Sequence, residues 1–216
     1  MSRKTLFIAV AGLLALVFGM LTLIYQNHQA GLDYASGGEQ RELVERQGAP
    51  VKGSADARVT IVEFFDPACG TCADFYPLVK QLMDQYPGKV RVMMRYAPLH
   101  KGSDQVVKML EAAHLQGQFW PALELLFKNQ RRWVVNHVSQ PMRARGLLNG
   151  LAMDHEKLDA AVNQTAVTGS VEEDVRDGQA LNIRATPEFF INGRPLPSFG
   201  YEQLRQMVKE AVAAAY

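Results

Sequence analysis

Cys69 and Cys72 are the only cysteines of this 216-residue chain, and two residues separate them in Cys69-Gly70-Thr71-Cys72. A β-branched and aromatic run at Val59–Phe65 leads up to them. From Cys72 the apolar residues Phe75, Leu78, Val79, Leu82, Met83 and Tyr86 recur at helical spacing. Cys69 is therefore expected at a helix start, where unpaired amides and the helix dipole favour a negative charge. An ordinary cysteine ionises near pH ~8.5, whereas CxxC thiols at helix starts do so at about 3.5 to 7.5, which predicts a nucleophilic thiolate at Cys69. Cys72, one turn on and more enclosed, is placed to resolve a mixed disulfide by intramolecular attack. A purely structural disulfide fits poorly, because closing so small a ring restricts the unfolded chain little. A zinc site also fits poorly. No other cysteine exists, and His28, His100, His114, His137 and His155 show no metal-ligand spacing.

The pair must be held by elements whose signals surround it. Val59–Phe65 suits a buried strand, and the helix after it is expected to kink at Pro77 and to end at Pro87-Gly88. Val90–Tyr96 reads as the next strand, giving a right-handed parallel βαβ unit. Between Pro98 and Arg184 the pattern is helical in segments 104–115, 119–129, 142–151, 155–164 and 171–181, with no strand. Strand character returns at 188–192, Asn192-Gly193 predicts a hairpin turn, 194–199 can pair back, and Tyr201–Ala215 closes as an amphipathic helix. The class is α/β, in the order βαβ, helical block, ββα. Phe119 and Trp120 read as core packing of the block, Arg131-Arg132 as a solvated turn and His100 as a surface histidine.

In the run Val59-Thr60-Ile61-Val62-Glu63-Phe64-Phe65, in Cys69-Gly70-Thr71-Cys72 and in Ala185-Thr186-Pro187-Glu188-Phe189-Phe190-Ile191-Asn192-Gly193, the chain resembles the DsbA-like branch of the thioredoxin superfamily, over about residues 50 to 216. The resemblance implies a thioredoxin fold with a helical insertion at about 99–184. It also implies a thiol-disulfide oxidoreductase acting on extracytoplasmic proteins, with no cofactor beyond a redox-active Cys69-Cys72 disulfide. Its partners would be protein or peptide thiols and disulfides, and a membrane redox protein. By matched position, Pro187 is the family's cis-proline beside the disulfide. The Thr186 backbone, with Gly70 and Thr71, would face an extended substrate. Glu63 matches the family's buried acid, which helps to move the proton of the second thiol. Its apolar neighbours Val62 and Phe64 agree with a strand covered on both faces. Gly-Thr replaces the Pro-His of strongly oxidising members, so oxidase, isomerase and reductase directions all remain open. A reading of another class is a non-catalytic peptide-binding chaperone or metal-handling module that uses the same thiols for capture.

Ahead of the site, Arg3 and Lys4 precede an uncharged, mostly apolar run at 5–25. A spanning helix needs roughly 20 apolar residues, and Gln26-Asn27-His28-Gln29 makes a poor cleavage site. Basic residues stay on the cytoplasmic side. The expectation is a cytoplasmic tail at 1–4, a transmembrane anchor at 5–25, a Gly-rich linker at 26–50 and a domain at 51–216. That domain would face the periplasm from a bacterial inner membrane; the alternative is a cleaved signal peptide and a soluble periplasmic domain. From Gln26 onward the chain carries 21 basic and 22 acidic residues, which excludes a global attraction to nucleic acid.

Overall fold

The computed structural model describes residues 12, 14–22, 41 and 43–216. Two compact units divide the chain at residues 40 and 41. In the first unit residues 14–22 are helical, and Leu14, Leu16, Phe18, Met20 and Leu21 are exposed. Among the described residues no helix is long and apolar enough to cross a membrane. The rest of the expected 5–25 span, the 1–4 tail and most of the 26–50 linker lie outside the described residues.

The second unit is built on a five-stranded sheet. Its strands are β1 (Val51–Lys52), β2 (Val59–Phe65), β3 (Val90–Tyr96), β6 (Glu188–Ile191) and β7 (Arg194–Pro195), in the order β1-β3-β2-β6-β7. β2 runs parallel to β3, in register from Val59 against Val90 to Phe65 against Tyr96, and antiparallel to β6. Helix α1 (Gly70–Gln85) connects β2 to β3 and continues through Pro77, whose ring is exposed. The insertion comprises α2 (Ser103–His114), α3 (Phe119–Lys128), α4 (Gln130–Trp133), α5 (Pro141–Leu148), α6 (His155–Ala161) and α7 (Thr165–Ala180). Helix α8 (Tyr201–Ala215) closes the chain.

Every residue of β2 is buried, because helices cover both faces of the sheet. Alternation sorts them. Val59, Ile61 and Phe65 join the larger core with α1, α8 and the insertion, while Val62 and Phe64 join a smaller core with Val44, Ala49, Met93, Ala97 and Phe190. Glu63 shares the parity of Ile61 and Phe65, so its carboxyl faces the cysteine side. The turn after β6 has Asn192 at φ 50° and Gly193 at φ 83°, the left-handed pair that a tight hairpin requires.

Four sequence expectations change. The insertion is not purely helical: β4 (Val134–Val135) and β5 (Val138–Ser139) form a small hairpin, with Asn136 and His137 at positive φ. These two-residue strands are too short to show alternation. Helix α7 begins at Thr165, six residues before the expected start, because its first turns are polar or small and carry only Val167 inward. β7 stops at Pro195 rather than 199; Pro195 and Pro197 lack the amide hydrogens a longer strand would donate. The linker ends early as well. Val44, Arg46 and Ala49 are buried, and an ion network docks this stretch: Asp174 Oδ1 lies 2.6 Å from Nε of both Arg46 and Arg95. Arg95 also donates to the Val44 and Leu43 carbonyls at 2.7 and 3.0 Å.

Candidate active site

At the carboxyl end of β2 the chain leaves the sheet through Asp66-Pro67-Ala68, and Cys69 caps α1 in extended geometry (φ −74°, ψ 120°). The cap position gives Cys69 the free amides of the first helical turn, and Cys72 lies one turn on, facing inward. Both are thiols in the structure. Cys69 is 6% exposed and Cys72 fully covered, while Gly70 and Thr71 between them are exposed. The Thr186–Pro187 peptide bond is cis, and the Thr186 carbonyl lies 3.1 Å from the Cys69 Sγ. Residues 117 positions apart in sequence thus meet at the sulfur.

Electrostatics separate the two thiols. A hydrogen bond from the Cys72 thiol, with further help from the Thr186 hydroxyl and the Cys72 and Thr71 amides, outweighs burial and lowers the Cys69 thiol from 9.0 to about 5. Burial, the hydrogen bond to Cys69 and the negative charge of Glu63 push the Cys72 thiol well above the ordinary range. Glu63 is fully buried, and neither carboxylate oxygen has a hydrogen-bond partner among the described residues. Burial first, then the charge on Cys69, raises its carboxyl from 4.5 to about 8. The site therefore combines a ready thiolate, a reluctant thiol and a carboxyl poised to exchange a proton near neutral pH.

Sequence reasoning did not single out several residues at the site. Asp66 is fully buried and clamps the loop: Oδ1 accepts the Ala68 amide at 2.8 Å, and Oδ2 accepts the His100 amide at 2.7 Å and the Ser103 hydroxyl at 2.9 Å. His100, read from sequence as a surface histidine, pairs through Nδ1 with Asp66 Oδ2 at 2.9 Å. A lone histidine after Pro-Leu carries no signal of a carboxylate 34 positions away. Gln130 reaches the same loop from α4. Phe75 stacks on Tyr201 at 4.1 Å between ring centres and packs on Phe189 and on Phe199, which is 57% exposed. Phe75 and Tyr201 were read only as members of helical stripes. Among the described residues no group of three or more His, Cys, Asp or Glu side chains could hold a metal ion.

A family model described as Thioredoxin matches residues 45–210. The chain is 29% identical over 182 residues to Disulfide bond formation protein D of Bacillus subtilis (strain 168), covering 76% of this chain and 77% of that protein. It is 32% identical over 146 residues to the Na(+)/H(+) antiporter NhaA of Herminiimonas arsenicoxydans; the match takes in 68% of this chain but spans only 22% of the antiporter's length. Among solved structures, a thioredoxin-like oxidoreductase from Silicibacter pomeroyi DSS-3 superposes with a TM-score of 0.68 at 26% identity, over 81% of this chain and 97% of that one. The fold, the matched residues and the helical insertion between β3 and β6 agree, and the chain belongs to the thioredoxin family, in the DsbA-like branch of thiol-disulfide oxidoreductases.

Proposed function

We propose that this chain exchanges disulfides with extracytoplasmic proteins and works chiefly as an oxidant, with Cys69 as the exchanging sulfur and Cys72 as its internal partner. The observation that carries this reading is the geometry of the pair: Cys69 caps α1 with its Sγ 3.1 Å from the Thr186 carbonyl at the cis Thr186–Pro187 bond, Cys72 is buried one turn on, and the Cys69 thiol is lowered to about 5. A stabilised thiolate stabilises the dithiol form, which makes the corresponding disulfide more willing to accept electrons.

In the oxidising direction a substrate thiolate attacks Sγ of Cys69 in the Cys69-Cys72 disulfide. The S–S bond breaks, and Cys72 leaves with the electron pair and takes a proton. Glu63, neutral up to about pH 8, is the proton source beside it. A second substrate thiolate then attacks the substrate sulfur of the mixed disulfide and expels Cys69 as its stable thiolate. Two electrons have left the substrate and its two thiol protons have passed to solvent; Glu63 regains from solvent the proton it gave to Cys72, so the net result is one proton on Cys72 and one in solvent. Running backwards, Glu63 as carboxylate accepts the Cys72 proton before that sulfur attacks.

Thr186, Pro187, Gly70 and Thr71 form the substrate side of the sulfur. The exposed Gly70-Thr71 edge and the Thr186 backbone suit an extended peptide, and Phe199 with Tyr201 offers it an apolar surface. Reoxidation falls to a membrane redox protein, since the chain has no nucleotide or flavin motif. Residues 5–25 tether the enzyme to the inner membrane, with the catalytic domain in the periplasm.

The test is the reduction potential of the purified protein in glutathione buffers, paired with oxidation of a reduced two-cysteine peptide. The expected potential lies between those of thioredoxin and DsbA, about −270 and −120 mV. A value at or below the thioredoxin end reverses the assigned direction, and no exchange with the peptide removes the enzymatic reading.

A further inference from the structure

Gln130 opens the short helix α4 in the insertion, 61 positions beyond Cys69. Its Nε2 donates to the Cys69 carbonyl and to the Pro67 carbonyl, both at 2.9 Å. Both partners can only accept, so the nitrogen end of the amide must face the loop, and its two hydrogens are spent there. The Cys69 carbonyl also accepts the Ala73 amide at 3.3 Å, the opening hydrogen bond of α1. Gln130 therefore grips the residue that carries the reacting sulfur at the point where loop becomes helix. From the other side Asp66 holds the loop through Ala68, His100 and Ser103, and its own carbonyl accepts the Cys69 amide at 3.0 Å. The loop is held between two parts of the insertion: the start of α2, and α4.

We propose that Gln130 is a positioning residue for Cys69, and that through it the helical insertion fixes the direction in which the reacting sulfur points. This rests on the disulfide-exchange reading of the site. The physical reason is geometric. The two Gln130 bonds fix the backbone on either side of Ala68, which keeps Sγ within reach of the Thr186 hydroxyl and the Thr71 and Cys72 amides. A side chain of the same length without a donor would fill the space and free the loop. The thiolate would then lose part of its stabilisation, and attack would slow even at saturating substrate.

The experiment compares the full-length reduced protein with Gln130→Met, which keeps length but not donors, and Gln130→Asn, which keeps the donors one methylene too short to reach both carbonyls. Thiolate absorbance against pH, iodoacetamide alkylation at pH 5 and the melting temperature are read together. If Cys69 becomes a tenfold weaker acid, its thiolate at pH 5 falls from about one half to about one tenth, and alkylation slows roughly fivefold. Both variants are expected to show this loss while melting close to the wild type. An unchanged thiolate titration in whichever variant folds, with or without a lower melting temperature, overturns the proposal and leaves Gln130 a packing role. Failure of the disulfide-exchange reading would show separately, as a wild-type protein that does not oxidise the peptide, while the thiolate titration still reports on Gln130.

Discussion

The division of labour proposed for Cys69 and Cys72 rests on depth and hydrogen bonding within a single helical turn. The cap sulfur collects donors, and the inner one lies beside a buried carboxyl that resists its ionisation. Cys72→Ala should therefore accumulate mixed disulfides with substrate proteins, because attack at Cys69 remains while resolution is lost, and Cys69→Ala should accumulate none. Non-reducing gels of cells expressing each variant check this; equal trapping by both would remove the assigned roles. Glu63 gives a prediction in pH. Its carboxyl is raised from 4.5 unfolded to about 8 folded, so the stability linked to its protonation is fully present below about pH 4.5 and is lost as pH rises through 8. Cys69, lowered from 9.0 to about 5, works the other way: its contribution is present above about 9 and is lost as pH falls through 5. Glu63→Gln removes the first dependence and keeps the second. The stability of the reduced variant minus that of the reduced wild type should thus rise by about 4 kcal/mol between pH 4 and pH 8. Denaturant titrations at the two pH values measure it, and a constant difference would mean that the Glu63 carboxyl titrates alike in the folded and unfolded chain. Glu63→Gln should also slow formation of the mixed disulfide in the oxidising direction, where Cys72 leaves and needs a proton, and its resolution by Cys72 in the reverse direction, and stopped-flow kinetics separates the two steps.

Among the elements, β2 and α1 carry the site, and the segment before β1 is fastened to the sheet by charge. Asp174 on α7 sits fully buried between Arg46 and Arg95, and its second oxygen accepts the Tyr96 amide at 2.9 Å. Arg95 reaches on to Asp177 and to the Val44 and Leu43 carbonyls, so one cluster joins β3, α7 and the entry to the domain. Removing one partner from such a cluster leaves buried charge uncompensated, at a cost of about 3 to 5 kcal/mol. Asp174→Asn should therefore lower the melting temperature by roughly 10 °C, given a slope of about 2 to 4 °C per kcal/mol for a domain of this size. It should leave the Cys69 thiolate titration unchanged, because Arg95 shares the parity of Met93 and Ala97 and bonds the Val44 carbonyl, all three on the smaller-core face of the sheet away from the cysteines. Calorimetry and absorbance titration of the same sample test both halves. The opposite pattern, a shifted thiolate with an unchanged melting temperature, would tie the cluster to the chemistry.

For the molecule as a whole, the apolar run at 5–25 leads to the remaining prediction: membranes from cells making the full chain should retain it after an alkaline wash, and its mature N-terminus should precede residue 26. A start between 26 and 40 would instead identify a cleaved signal. What the sequence determined on its own was whatever covalent neighbours and short periods encode. β2, β3 and α8 were legible to the residue because continuous β-branched runs and helical stripes write themselves along the chain. The Cys69-Cys72 spacing likewise placed both thiols at a strand-to-helix junction, and the Ala-Thr-Pro entry to β6 located the segment that meets them. What only the tertiary structure decided are the polar contacts between distant segments: Arg46 with Asp174 across 128 positions, Gln130 with Cys69 across 61, and Asp66 with His100 across 34. Such pairs have no period and no local propensity, so nothing in the neighbouring residues distinguishes them from a solvated charge or amide. The Glu63 carboxyl depends on the same level of structure. Its parity along β2 fixed which face it occupies, but only the packing of α1, α8 and the insertion removed the water that would otherwise hold its pKa at an ordinary value.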